Sequence, residues 1–131
     1  MSANLNSAQH EISIRVRYNE TDAMGVLHHA NYFNYFEMGR TELYRERGGD
    51  YRAMEASGKF FVVARLDCKY LLPARYDDLL TLRTTLARVT TATLEHEYEL
   101  FRDGKLLARG HTVLACVNGE GKIQRIPNIL P

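Results

Sequence analysis

Tryptophan is absent from this chain, and cysteine occurs only twice, at Cys68 and Cys116. Two cysteines so far apart, with no C-x-x-C, indicate neither a disulfide framework nor a thiolate metal site. Both are expected as buried, reduced thiols. Proline numbers three and glycine nine, too few and too scattered for a low-complexity linker. Neither sign of charge is in excess: 17 Lys and Arg against 16 Asp and Glu leave a formal net charge of +1. So weak a field does not hold a polyanion by counterion release, which removes nucleic acid from the expected partners. No run approaches the roughly 18 uncharged apolar residues of a membrane span. The segment from Met1 to Ser7 also lacks the basic and apolar regions of a signal peptide. A cytoplasmic chain without a transmembrane segment is the expectation.

What is present is ordinary for a folded domain, with 45% hydrophobic and 25% charged residues. At 131 residues the chain suits a single domain. That domain is placed over 1–131, with 1–10 as a loosely ordered tail.

Ile12, Ile14, Val16 and Tyr18 alternate with polar residues, the period of a half-buried strand. After a loop over Asn19–His28 the period changes. Tyr32, Phe36, Gly39 and Leu43 recur at helical spacing, so a helix is expected from about Ala30 to Gly48-Gly49. Alternation returns with Val62, Ala64, Leu66, Cys68 and Tyr70 on one face, stopped by Pro73. Two further runs follow, Leu80 to Leu86 and Leu94 to Leu100, broken near Thr90-Thr91. Asp103-Gly104 then marks a two-residue hairpin into the run Leu106–Val117. Lys122–Ile126 is a candidate last short strand. Strands joined by such tight turns must be mostly antiparallel. The expected class is therefore α+β, one long helix and one curled sheet. Its open edge and uncovered face favour a homo-oligomer.

The segment from Tyr18 to Glu42 carries the chemistry. A carboxylate, Asp22, sits in a Gly-containing loop after a strand, and His28-His29 stand just ahead of a helix N-terminus. Such a terminus offers unpaired N–H groups and a partial positive charge. These polarise an acyl carbonyl and stabilise its oxyanion, while Asp22 is placed to act as nucleophile or general base. The same aspartate also suits an Asx-turn, and Glu37 and Arg40 suit an i, i+3 ion pair. No G-x-S-x-G, Walker or G-x-G-x-x-G pattern occurs, and His28-His29 lack the i, i+4 spacing of a zinc pair. No metal and no cofactor is expected.

Tyr18, Thr21-Asp22, Gly25-Val26, His29-Ala30-Asn31-Tyr32, Phe36-Glu37, Arg40 and Glu42 closely resemble a family signature. It is that of the hot-dog-fold acyl-CoA thioesterases, specifically the 4-hydroxybenzoyl-CoA thioesterase family and its Tol-Pal-associated branch. The resemblance continues weakly through Phe61-Val62-Val63 and Pro73–Asp78. It implies a hot-dog fold, in which a curled, mostly antiparallel sheet wraps around the helix, and hydrolysis of an acyl-CoA thioester to acid and coenzyme A. It further implies Asp22 as the catalytic acid, a backbone N–H at or near His29 on the thioester carbonyl, and Tyr18 and His29 in the active site. The site is implied to lie at the interface of a homodimer, or of a homotetramer. Met24 stands where a glycine is common and His28 where a tyrosine is common, which bears on the shape of the acyl pocket. Another branch carries its acid on the helix, which holds Glu37 in reserve. Arg65, Lys69 and Arg75 are candidate contacts for the coenzyme A phosphates. The competing readings are a non-catalytic acyl-CoA or acyl-carrier-protein binding module and an acyl-carrier-protein thioesterase. A dehydratase is disfavoured by the lack of its His-Phe-Pro signature.

Overall fold

A computed structural model describes residues 8–127 of the chain. Strand β1 (Gln9–Arg15) leads through a short 3-10 turn (Tyr18–Glu20) to helix α1 (Asn31–Glu46) and a second, short helix α2 (Tyr51–Ala56). Four strands follow: β2 (Lys59–Tyr70), β3 (Leu79–Val89), β4 (Thr93–Arg102) and β5 (Lys105–Asn118). All five strands pair antiparallel in the order β1-β3-β4-β5-β2. The architecture is α+β, with α1 against one face of the sheet.

Two close approaches fix α1 on the sheet. Helix residues Tyr32, Tyr35, Phe36, Gly39, Arg40, Leu43 and Tyr44 are buried, a stripe about 100° wide that faces the core. Gly39 lets the helix backbone come down on β3, where a Cβ would stand 2.3 Å from Thr84 Oγ1. Gly110 does the same from the sheet side, since a Cβ there would stand 2.2 Å from the Phe36 ring. Phe36 in turn stacks on Tyr98 at 4.3 Å. At the β4–β5 connection Asp103 and Gly104 both adopt positive φ (50° and 78°), the backbone of a type I′ hairpin turn.

Several expectations need correction. Strand β1 ends at Arg15, so Tyr18 belongs to the 3-10 turn and not to the alternating strand. Helix α2 was not expected. Lys122–Ile126 contributes only an isolated bridge, Val117 to Ile123. On β2 the register slips between Val63 and Arg65, so Ala64 is the extra residue of a bulge and the alternation changes face there. Phe61 and Val63 therefore share a face with Leu66, Cys68 and Tyr70, whereas Val62 does not. Of the tail placed at 1–10, residues 1–7 lie outside the described part, while Ala8 is buried and Gln9 and His10 pair with β3. The cysteines are free, Cys116 buried and Cys68 half-buried. Among the described residues no helix is long and apolar enough to cross a membrane.

Candidate active site

The loop from Glu20 to Ala30 is folded back on itself by its own backbone. Asp22 N–H donates to the Val26 carbonyl (2.9 Å), His28 N–H to the Glu20 carbonyl (2.9 Å), and Thr21 bridges Leu27. Gly25 makes the reversal possible with φ of 79°. Asp22 Oδ1 accepts from the N–H groups of Met24 (2.9 Å) and Val26 (3.3 Å), an Asx-turn that holds the tip. The other carboxylate oxygen makes no hydrogen bond among the described residues, and the side chain is exposed.

Glu20 anchors this loop to the helix, a role that sequence reasoning missed. Its carboxylate accepts from Arg17 N–H and from the buried Tyr35 hydroxyl at 2.6 Å. Its carbonyl accepts from Asn31 Nδ2 at 2.9 Å. Burial and the Glu20 carboxylate both push the Tyr35 hydroxyl far above its ordinary range, so it remains a donor. Glu20 lies three residues beyond Arg17 at a 3-10 turn, a capping pattern that gave the only local signal.

At the start of α1 the N-cap is Ala30, whose side chain caps nothing. The N–H groups of Asn31, Tyr32 and Phe33 turn back to the carbonyls of His28, His29 and Ala30, and Ala30 N–H meets His28 Nδ1 at 3.2 Å. The N–H of His29 has no hydrogen-bond partner among the described residues. It stands at the positive end of the helix dipole, where an anion or a polarised carbonyl oxygen is stabilised.

Tyr70, at the end of β2, reaches across 41 positions of sequence to donate its hydroxyl to the His29 carbonyl at 2.9 Å. Its ring packs edge-on against Tyr32 at 4.8 Å. Burial and neighbouring Cys68 push this hydroxyl up to about 12, so it too stays protonated. The His29–Ala30 peptide is thus held from both ends, its carbonyl by Tyr70 and its N–H by His28. Beside it opens a cleft of about 280 Å³ lined by Val26, His29, Tyr32, Tyr70, Leu71 and Leu72 among others. Its far wall, the 71–78 loop, is tied to Leu27 by the Ala74 carbonyl at 2.8 Å. That loop is pinned by Asp78, which accepts from Arg75 N–H and from Arg102 Nη1, both at 2.8 Å. Partial burial raises the Asp78 carboxyl, but these two hydrogen bonds outweigh it and the group sits below its ordinary range.

The expected site residues are spread over the loop, the 71–78 segment, β2 and α1. Asp22 and His29 lie on the same folded loop, Asp22 at its tip and His29 at its base, with His28 and His29 rings stacked at 4.2 Å. Tyr18 is 78% exposed, its ring edge-on to Tyr76 at 5.6 Å across the 71–78 loop. Arg75 borders the loop through the Val26–Arg75 bridge. Arg65 and Lys69, opposite Val113 and Arg109, lie on the outward side of the β2 edge strand, away from α1. Glu37 is exposed and forms the i, i+3 pair with Arg40 at 3.8 Å.

The sequence pattern of the Thioesterase superfamily matches residues 24–108. An acyl-CoA thioesterase, YbgC, of Haemophilus influenzae is 37% identical over 80% of this chain and 78% of its own length. An acyl-CoA thioester hydrolase, also YbgC, of Escherichia coli is 31% identical over 90% and 87%. Among solved structures, a DHNA-CoA thioesterase of Staphylococcus aureus superposes with a TM-score of 0.87 at 30% identity, covering 89% of this chain and 80% of that one. These matches extend over most of the chain. The chain belongs to the Thioesterase superfamily, with the hot-dog fold, and is a thioester hydrolase.

Proposed function

We propose that the chain hydrolyses an acyl-CoA thioester with Asp22 as nucleophile or general base and the His29 N–H as oxyanion donor, and that it belongs to the 4-hydroxybenzoyl-CoA thioesterase family in its Tol-Pal-associated branch. The thioester carbonyl accepts a hydrogen bond from His29, and Asp22 attacks that carbon or activates the water that does. If Asp22 attacks, the C–S bond breaks to leave an acyl–Asp22 anhydride that water then hydrolyses. If Asp22 is the base, water adds its own oxygen to the acid directly. In both cases coenzyme A leaves as a thiolate, which needs little general-acid help. The reading rests chiefly on one observation: the unpaired His29 N–H at an uncapped helix start, on the same folded loop as an exposed carboxylate with one free oxygen. A single donor in such a position is worth roughly 3 kcal/mol of transition-state stabilisation. The cleft beside His29 takes the thioester portion of the substrate. The Tyr18 and His29 side chains flank the acyl group, and Arg75, with Arg65 and Lys69, meets the coenzyme A phosphates.

The working unit is at least a homodimer formed through β2. This strand is at the edge of the sheet, and Val62, Val63, Leu66 and Tyr70 along it are 44–45% exposed. Antiparallel pairing of two such edges satisfies their open N–H and C=O groups and covers that apolar surface.

The test is thiol release from short, long and aromatic acyl-CoAs. Asp22→Asn is expected to lower kcat by about 10²–10⁴-fold, the usual yield of a positioned acid–base group. Full activity in that variant moves the catalytic acid elsewhere, and no turnover of any substrate by the wild type refutes acyl-CoA as the substrate. Oxygen-18 appearing in the Asp22 carboxylate after a single turnover in labelled water separates nucleophile from base.

A further inference from the structure

A second polar feature lies further along α1, ten residues and about 15 Å beyond Ala30 at the rise of a helix. A cleft of about 260 Å³ is lined by Glu37, Arg40, Thr41, Tyr51, Phe61 and Leu114, with Glu55 at its rim. It shares no residue with the cleft at His29. Arg40 is 92% buried there, yet its guanidinium has few partners. Nη1 reaches the Tyr98 hydroxyl at 3.4 Å, and Nη2 stands 3.8 Å from Glu37, a carboxylate whose side chain is 69% exposed. A guanidinium has five N–H donors in a planar fork, and a buried cation without a close anion is costly.

A second orphan stands beside it. His96 is 4% exposed and its Nδ1 has no hydrogen-bond partner among the described residues. It lines a narrow inner recess that shares Arg40 and Tyr51 with the outer cleft. Burial, reinforced by the Arg40 charge, pulls this imidazole down to about 3, so His96 is neutral and adds no second positive charge, and the exposed Glu37 is the one carboxylate paired with Arg40 among the described residues.

We propose that this cleft is a binding site for a small organic monocarboxylate with an apolar body, its carboxylate paired with the Arg40 guanidinium and its body against the wall formed by Tyr51 and Phe61. The rings of these two residues meet edge-on at 5.9 Å and Leu114 completes an apolar wall. Glu37 and Glu55 at the rim repel a dianion such as phosphate. A single carboxylate takes the place that Glu37 fills weakly and gives Arg40 a bidentate partner. The site does not depend on the hydrolase reading, because it needs only the geometry at Arg40.

Benzoate and hexanoate titrated into the labelled full-length chain, followed by amide and Arg Nε NMR signals, test it. The expected result is saturable shifts at Arg40, Tyr51, Phe61 and Leu114. Arg40→Gln weakens binding at least tenfold, the loss expected with a charged hydrogen bond. Glu37→Gln tightens it about two- to fivefold, because an exposed competing ion pair is removed. Asp22→Asn leaves it unchanged. Shifts confined to residues 22–32, the absence of saturable shifts, or unchanged affinity in Arg40→Gln overturns the site. If Arg40→Gln does not fold, Glu37→Gln decides alone, since that residue is exposed: unaltered or weaker affinity refutes the proposal. No thioester is used, so a chain that binds benzoate at Arg40 but hydrolyses nothing refutes only the proposed function.

Discussion

Replacing Gly110 with alanine adds one methyl group, and the sign of its effect tests how α1 is seated. Glycine in a strand interior costs roughly 0.5–1 kcal/mol relative to alanine, so in open space the substitution stabilises. Here the new Cβ would lie 2.2, 2.4 and 2.9 Å from Cε2, Cζ and Cδ2 of Phe36. Carbon atoms rest at about 3.5–4.0 Å, so the ring or the strand must retreat by more than about 1 Å. The ring has nowhere to go, because Tyr98 is stacked on it at 4.3 Å and Phe33 meets its edge at 5.9 Å. Overpacking of this kind costs about 1–3 kcal/mol. After subtracting the glycine term, a net loss of about 1–2 kcal/mol is expected, and with it several degrees of Tm in a domain of this size.

Urea unfolding at one fixed protein concentration measures this as a lower midpoint with an unchanged slope. Phe36→Leu in the same background removes the ring atoms that the methyl meets. The double variant should therefore lose less than the sum of the two single losses. Equal or greater stability of Gly110→Ala than wild type would show that α1 does not press on β5 through Phe36, and the packing account would fail with it.

Three further outcomes follow. Tyr70→Phe keeps the ring against Tyr32 but frees the His29 carbonyl, so kcat should fall about fivefold with KM little changed, as for loss of one positioning hydrogen bond; an unchanged kcat removes Tyr70 from the site. Because burial holds His96 at about 3 in the fold while the unfolded chain protonates it near 6.5, the unfolded state binds more protons between those values. Stability should fall by about 1 kcal/mol for each pH unit as pH drops through that window, and His96→Leu should flatten the acid limb measured by urea midpoints. Leu66→Glu places like charges near each other when two β2 edges meet. Sedimentation velocity at micromolar concentration should show monomer, with thiol release lost in parallel, whereas an intact dimer would move the interface off β2.

The legible parts of the fold are those with one covered face. On β3 the run Leu80, Leu82, Thr84 and Leu86 is buried at every second residue because α1 and the core lie on one side only. Strand β2 broke the same logic, since it is an edge with much of both faces exposed and a bulge at Ala64 that period-two reasoning does not register. Helix α2 left no periodic trace: of its six residues only Met54 is buried, and it starts from an Asp50 cap that accepts from Ala53 N–H. In the site, Asp22 and His29 were readable because they share one short loop. Tyr70 and Asp78 were not, because only the folded chain brings them there from the far end of β2 and the loop beyond it.

The turn reading and the catalytic reading of Asp22 are compatible, because they use different oxygens. Oδ1 is committed to Met24 and Val26 N–H groups, and that commitment holds the carboxylate in one orientation at the loop tip. Asparagine preserves the turn, since its side-chain oxygen accepts the same two bonds, and removes only the charge and the nucleophile. Alanine removes both. Asp22→Asn is therefore expected to keep wild-type stability while losing turnover, and Asp22→Ala to lose turnover and about 1 kcal/mol of stability together. Asn and wild type with equal turnover, but Ala without it, would assign Asp22 to the turn alone and leave the His29 N–H with another carboxylate as its partner, Glu37 of a second copy being the first to test.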